Sequence, residues 1–523
     1  MQRCQPNVLV VLTDQHSFRY VGCRDSDQGG QSIETPTLDQ LARSSIRFET
    51  AYCPVPLCTP SRYALLSGRE AKRAGAWNND SVLDPELTTI PKTLSNIEYK
   101  TYLEGKMHFG GQVQFGGFDQ RTYGDLTGQS AHQAEPPRPY GHPPDYRRLL
   151  AEVGETGIPE SLLQETRTVE ESISTLREHR HADSEQPWFL CASFSRPHWP
   201  RTAPSRFVDK HWPDNVPEPT VSGGDTDDHP LVTACAERTA SSDLSHAEMM
   251  RARSGYFGAV EYIDEIIGDF LLRLDDSGFL ENTIIIYTSD HGELAGEHGL
   301  WEKRTWHEAA TRVPLFVQLP SHRENGGMPE RLHTPVSLLD LYPTLCGLLD
   351  IEQPNGLDGR DLSDAVRTGT EPDSEPVVVD CFGMFGNDDL HYRMVRDGRY
   401  KYVQFRDAPE LLFDLETDPL ETNNLAADAE ADVTDTLHRL RETVNESLHF
   451  ANIDRRREQD EQMASEYRLV TPKGGPNQYH MSDGRVIDGD TLLYQPHVIT
   501  DDPTAAYHDY PKQESKSSRS GND

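Results

Sequence analysis

Lysine is scarce in this chain: ten of 523 residues, against forty arginines. Acidic residues outnumber basic ones 86 to 50, leaving a formal charge of −36 that is spread along the whole length. No basic stripe interrupts that excess, which argues against nucleic acid and anionic membranes as partners. Long apolar runs are also missing, and none approaches the ~20 residues a membrane helix needs. The first apolar run, Val8–Leu12, is too short for a secretory leader, lacks a small-residue cleavage site and ends in Thr13-Asp14. It reads as a strand, and the expectation is a cytoplasmic protein. Eight cysteines are scattered without paired spacing, which excludes a disulfide scaffold and a zinc-finger array.

Dense carboxylates with few lysines match the composition of proteins from extreme halophiles. Molar salt shortens the screening length to ~3 Å, so the self-repulsion of such a surface is largely suppressed. A chain of 523 residues accommodates two or three domains. Val8–Thr13, Trp188–Phe194, Thr283–Ser289 and Val313–Leu319 are apolar or β-branched with little alternation, as in strands buried on both faces. Between them lie helical patterns at Thr37–Ala42, Cys58–Leu66, Glu165–His179 and Ser245–Leu274. Strands separated by helices predict an α/β fold in which a large, mainly parallel sheet is sandwiched by helices. This catalytic domain is expected to span residues 1–370. Residues 371–450 change character: Pro376–Phe382, Tyr392–Val395, Tyr400–Phe405 and Leu411–Leu415 read as antiparallel strands, with a turn at Asp397-Gly398 and a helix at Glu430–Asn445. Residues 451–523 are polar with scattered tyrosines and are expected to form an extended arm, disordered from about Lys512. The Pro/His/Tyr-rich stretch 120–160 reads as a long loop.

The chemistry concentrates in three segments. The run Pro56-Leu57-Cys58-Thr59-Pro60-Ser61-Arg62 sets a cysteine at a helix start, where unpaired N–H groups attract anions, and an arginine one turn on. Asp14 follows the first strand, with Gln15 beside it as a second oxygen donor. Asp290 and His291 follow the strand Thr283–Ser289 and offer an oxygen and a nitrogen ligand from one turn. Ligands in open α/β sheets bind beyond the carboxyl ends of strands, so Asp14 and Asp290 can converge there.

Taken together, these segments resemble the type I sulfatases, a branch of the alkaline phosphatase superfamily, over roughly residues 5–450. Their signature is Cys-x-Pro-x-Arg, whose cysteine is oxidised to formylglycine. Further segments are similar in the family's order: Gly105-Lys106-Met107-His108, Arg196-Pro197-His198-Trp199-Pro200, Gly299-Leu300-Trp301-Glu302-Lys303 and Leu412-Phe413-Asp414. The stretches around Cys58 and Lys106 look particularly like choline sulfatases, whereas the tail after residue 451 has no such match. The resemblance implies one divalent metal held by Asp14, Gln15, Cys58, Asp290 and His291. Oxygen-rich ligation points to Ca²⁺, and His291 brings in Mn²⁺ as the alternative. It also implies that Arg62, Lys106 and Lys303 surround a sulfate. His108 and His198 would move protons, and a formylglycine-generating enzyme would mature the chain.

The reaction so implied is hydrolysis of a small sulfate monoester by the aldehyde hydrate. A phosphonate monoester or phosphodiester hydrolase is the rival within enzymes. An anion-binding protein with unconverted Cys58 is the rival outside them. Asn78 and Asn79 read equally as substrate contacts or turn residues, and His246, His298 and His307 read as structural. A homo-oligomer is also compatible with the tyrosines of the arm.

Overall fold

The computed structural model describes residues 5–24, 30–79, 81–110, 113–122, 150, 153–182, 185–222, 228–239, 241–324, 330–382, 390–427, 431–467, 478–480 and 486–488. Most of the 120–160 stretch, and of the tail after residue 467, lies outside them.

Fourteen strands carry the architecture: β1 (Asn7–Asp14), β2 (Ile46–Tyr52), β3 (Lys100–Gly105), β4 (Val153–Glu155), β5 (Trp188–Pro197), β6 (Arg201–Ala203), β7 (Thr283–Ser289), β8 (Arg312–Gln318), β9 (Arg331–Leu332), β10 (Val336–Ser337), β11 (Val377–Cys381), β12 (Tyr392–Asp397), β13 (Tyr400–Phe405) and β14 (Leu411–Asp414). The main sheet runs β10-β2-β8-β7-β1-β5-β3, with β9 added beside β2. Its pairs are parallel except for β8, which lies antiparallel to both neighbours. The sheet is therefore mainly parallel, as the apolar runs predict.

Burial of β1 on both faces follows from its composition. Val8, Val10 and Leu12 join one apolar cluster with Ala64 and Leu65 of the helix Cys58–Ser67, and with Leu341 and Leu345. Leu9 and Val11 join a second cluster with Ile173 and Leu176 from Gln164–His181, and with Ile263 and Ile267 from His246–Asp276. Helices thus cover both faces of one sheet. The longest helix opens on a capping box in which Ser245 and Glu248 satisfy each other's backbone N–H groups. β2 and β3 were not evident as strands in the sequence. All seven residues of β2 are buried although they include Arg47 and Glu49, because these two pair with each other and Arg24 joins them.

The second sheet is antiparallel in the order β11-β12-β13-β14, and its β12–β13 hairpin turns at Gly398 with φ 56°. Helix Ala431–Ser447 packs Leu437, Leu440 and Val444 against it. A buried ion triad fastens β13 to the main body: Lys401 Nζ donates to the Trp306 carbonyl at 2.8 Å and lies 2.7 Å from carboxylates of both Glu308 and Glu421. Breaking a buried pair by removing one partner leaves an uncompensated charge and costs about 3–5 kcal/mol. Lys401→Met is therefore expected to bring thermal and urea transitions clearly earlier, and midpoints equal to the parent's would refute the role given to the triad.

The arm departs from expectation at its start. Phe450–Tyr467 is a helix, not extended chain. Its sequence has no Gly or Pro and is rich in Arg, Glu, Gln, Ala and Met, which favour helix once one face is anchored. Phe450 and Ile453 supply the anchor by packing with Trp77, Val395 and Leu440. The tyrosines at 494, 507 and 510 lie outside the described residues. Among the described residues no helix is long and apolar enough to cross a membrane.

Candidate active site

Parallel pairing of β1 with β7 sets Thr13 beside Ser289, so the next residues on each strand, Asp14 and Asp290, emerge together at the carboxyl edge of the sheet. The chain turns sharply after Asp14. Gln15 takes φ 67°, rare for a residue with a Cβ, and its N–H donates to Asp290 Oδ1 at 3.1 Å. Helix Cys58–Ser67 delivers Cys58 as its first residue, and every residue of the helix is buried. Its first turn is held by Asn79, whose Oδ1 accepts the Thr59 N–H at 3.1 Å, and by Ser61 Oγ, which donates to the Asp290 carbonyl at 2.6 Å. Asn79 thus serves as a cap for the cysteine helix. At the far end of the helix, Gly68 closes it in the left-handed region with φ 62°.

Asp14, Cys58, Asp290 and His291 are buried, and one ligand atom from each lies within 4.8 Å of the others. Cys58 Sγ stands 3.2 Å from His291 Nε2 and 3.9 Å from Asp14 Oδ1. Two carboxylates, an imidazole and a sulfur atom in one buried cluster fit a divalent cation. Gln15 lies alongside, but its amide is engaged elsewhere: the carbonyl accepts from Lys303 and the NH₂ donates to Glu293 and, at 3.2 Å, to Glu302.

The cations surround this cluster in different ways. Arg62, fully buried, donates from Nε to Asp290 at 2.7 Å and from Nη2 to Asp14 at 2.9 Å, while Nη1 donates to the Lys106 carbonyl and Ser193 Oγ. Its guanidinium clamps the two carboxylates. Lys106 Nζ lies 2.7 Å from Asp14 Oδ2. Its position depends on Gly105 (φ 92°), where a Cβ would meet the Ser193 carbonyl at 2.1 Å, so β3 and β5 close in only without a side chain. Lys303 pairs with Glu302 at 3.3 Å. His108 takes φ 59°, and His198 Nδ1 lies 2.8 Å from the Trp199 carbonyl. The His198 N–H also donates to the Asp14 carbonyl at 3.1 Å.

Charge sets the protonation of the site. Burial raises the Cys58 thiol, yet the charges of Lys303, Lys106 and His291 outweigh it and hold it well below the usual thiol range. Burial also raises Asp14, but Lys106, His198 and Arg62 pull it below the ordinary carboxylate range. Asp290 stays raised because burial outweighs Arg62 and Asp14 repels it. Burial, with Lys106 and Lys303 nearby, pushes His198 down to about 4, so its ring is neutral at pH 7.

All ten residues singled out from the sequence meet in this region. The supporting layer was not foreseen. Arg201 donates to Glu293 and Glu302 at 2.9 Å each, and Glu293 accepts from the N–H groups of Ala295 and Glu302. This network orients Gln15 and Lys303. Glu293 follows Asp290-His291 and Glu302 precedes Lys303 in runs visible in the sequence, whereas Arg201 left no trace there.

Two carboxylates, sulfur, imidazole and three cations thus meet in one buried centre at the carboxyl edge of an α/β sheet, a donor set that fits a divalent metal. Residues 6–351 match the sulfatase family, and residues 296–447 match the N-sulphoglucosamine sulphohydrolase C-terminal region. The chain is 31% identical over 445 residues to the choline-sulfatase of Rhizobium meliloti, covering 81% of this chain and 82% of that one. It is 29% identical to an arylsulfatase of Clostridium perfringens, over 80% and 90% of the two chains. The phosphonate monoester hydrolase of Agrobacterium radiobacter shares the fold, with a TM-score of 0.71 at 24% identity over 84% of this chain and 95% of that one. The chain belongs to the sulfatase family and is a sulfuric ester hydrolase.

Proposed function

We propose that this enzyme hydrolyses a small sulfate monoester with an aldehyde hydrate made from Cys58. The observation that carries the reading is the convergence of Asp14, Cys58, Asp290 and His291 within 4.8 Å, ringed by Arg62, Lys106 and Lys303. The likeness to a choline-sulfatase puts small alkyl sulfates first among substrates to try. Asp14, Asp290, His291 and converted Cys58 would hold the metal, with Gln15 beside them as a further oxygen donor. Ca²⁺ suits the carboxylates and Mn²⁺ suits His291. When bound, the metal supplies positive charge against the sulfate oxygens.

The hydrate supplies two hydroxyls, one to attack sulfur and one to expel sulfate and restore the aldehyde. Asp290 takes the proton of the attacking hydroxyl. Lys106 and Lys303 offset charge that develops on the sulfuryl group. Lys303 or His198 serves the departing alcohol oxygen, and His108 takes the proton of the second hydroxyl. Cys58 is 1% exposed, so the maturation enzyme must reach it before the chain closes around it.

Mass spectrometry of the peptide bearing Cys58 tests the reading. A mass loss equal to the thiol-to-aldehyde difference supports it, and an unmodified thiol in active enzyme overturns it. Sulfate release from an aryl sulfate, compared with turnover of an aryl phosphonate, separates sulfatase from phosphonate hydrolase. Exhaustive chelation is expected to abolish turnover. Asp290→Asn, which removes a charged ligand, should weaken metal affinity sharply. Full activity in metal-free protein would sink the metal assignment.

The −36 charge supports a further element of the proposal, that the enzyme works in concentrated salt. Screening tightens from ~10 Å at 0.1 M to ~3 Å at 1 M. The thermal midpoint should rise by several degrees over this range and beyond, at about 1 °C per kcal/mol for a chain of this size. A flat response would identify an ordinary acidic protein.

A further inference from the structure

Helix Phe450–Tyr467 lies almost four hundred residues from Cys58 in sequence, yet a chain of hydrogen bonds connects the two. Asp460 accepts from the Trp77 indole Nε1 at 3.1 Å, and both groups are buried. Arg456, one turn earlier on the helix, donates to both oxygens of Asp460 and fixes the carboxylate. The Trp77 ring sits 6.4 Å from Phe382, which in turn faces Phe450. Trp77 is thereby held at its polar edge by the helix, and its ring shares one apolar cluster with Phe382 and Phe450.

From Trp77 the connection runs to the cysteine helix. The N–H groups of Trp77 and Asn78 both donate to Ser81 Oγ, at 2.9 and 3.1 Å. The Ser81 carbonyl accepts from Tyr63 OH at 3.1 Å, and the same hydroxyl accepts the Gly110 N–H at 2.9 Å. Between these anchors Asn79 caps Thr59, the neighbour of Cys58. Thr59 Oγ1 also donates to the His108 carbonyl at 3.0 Å. Trp77, Asn78, Asn79 and Ser81 are therefore bolted to two elements of the site, the helix start bearing Cys58 and the segment bearing His108.

We infer that Asp460 is a positioning residue: through Trp77 the C-terminal helix sets the residues that place Cys58 and His108 for reaction. The claim builds on the proposed role of Cys58. Removing the carboxylate would leave a buried indole N–H unsatisfied, which favours a shift of Trp77 toward another acceptor. Displacements of an ångström at a reacting group can lower rates a hundred-fold, so a partial shift is expected to show mainly in kcat.

The test compares Asp460→Ala, Asp460→Asn and Trp77→Phe in the full chain, with sulfate release measured well below the thermal transition. Peptide mass spectrometry gives the converted fraction of Cys58 in each. Asp460→Ala is expected to lower kcat per converted site about tenfold while KM stays within about twofold. Asp460→Asn keeps an oxygen acceptor and should recover kcat to within about twofold of the parent. Trp77→Phe removes the donor but keeps a ring in the apolar cluster, and should fall with Asp460→Ala. Unchanged kcat in Asp460→Ala or Trp77→Phe overturns the inference, as does an equal loss in Asp460→Asn. Should Asp460→Ala not fold, the Trp77→Phe and Asp460→Asn pair decides alone. An active parent enzyme with unmodified Cys58 would refute the aldehyde reading, and the kcat series would still decide the positioning claim.

Discussion

Cys58→Ala is expected to fold like the parent enzyme and to release no sulfate above background. The side chain lies at the first residue of a helix whose ten residues are all buried. Deleting one sulfur atom there opens only a small cavity, costing on the order of 1 kcal/mol. The fold is secured elsewhere, by the two apolar clusters on either face of the main sheet. The effect on rate is of another order, because losing the nucleophile from a site whose groups act as a unit lowers turnover by roughly 10⁴–10⁶-fold. Cys58→Ser should behave similarly under multiple turnover, since one hydroxyl can attack but no second remains to expel sulfate. Initial-rate assays over many turnovers check both variants. Substantial turnover by the alanine variant would end the assignment of Cys58, whatever the state of the parent cysteine.

What could be read in advance followed how local each signal was. β1, β7 and the cysteine helix were legible because contiguous apolar runs and a helix-start motif need no distant partner to be recognised. Asp14 and Asp290 meet at one edge because both stand at the ends of such strands, and parallel strands deliver their ends together. β2 escaped because Arg47 and Glu49 made it look exposed, while their charges are paired with each other inside the fold. Arg201, Glu293 and Glu302 gave no joint signal, for their contacts span about a hundred residues and exist only after folding. The helix Phe450–Tyr467 was misread as extended because its charged residues mask the few contacts, Phe450, Ile453 and Asp460, that tie it down. Polar sequence therefore concealed structure wherever buried ion pairs or single anchors did the work of an apolar face.

The same lesson makes Arg62 the most sensitive cation of the site. The sequence placed it one turn from Cys58 as a partner for the sulfate, and the structure turns its guanidinium to Asp14 and Asp290. Both carboxylates are fully buried, and burial alone disfavours their charged forms. Arg62→Met would keep the length of the side chain and remove the clamp. Lys106 would then remain on Asp14, while Asp290 would keep only the Gln15 N–H and the distant His291 ring. Two buried carboxylates so exposed to each other are expected to cost about 3–5 kcal/mol in metal-free protein. Added Ca²⁺ or Mn²⁺ should recover part of that loss by supplying the missing charge, at the value RT ln(1 + [L]/Kd). Turnover is expected to fall by about 10²–10³-fold even when metal restores the fold, because no metal reproduces the two hydrogen bonds by which Arg62 orients Asp14 and Asp290. Arg62→Lys should lie close to Arg62→Met, since one ammonium cannot span both carboxylates and the Lys106 carbonyl. Thermal melts with and without metal, alongside sulfate-release rates, measure all three effects. Parent-like stability without metal, or parent-like rates in Arg62→Lys, would show that the clamp is dispensable and that Arg62 acts as a point charge.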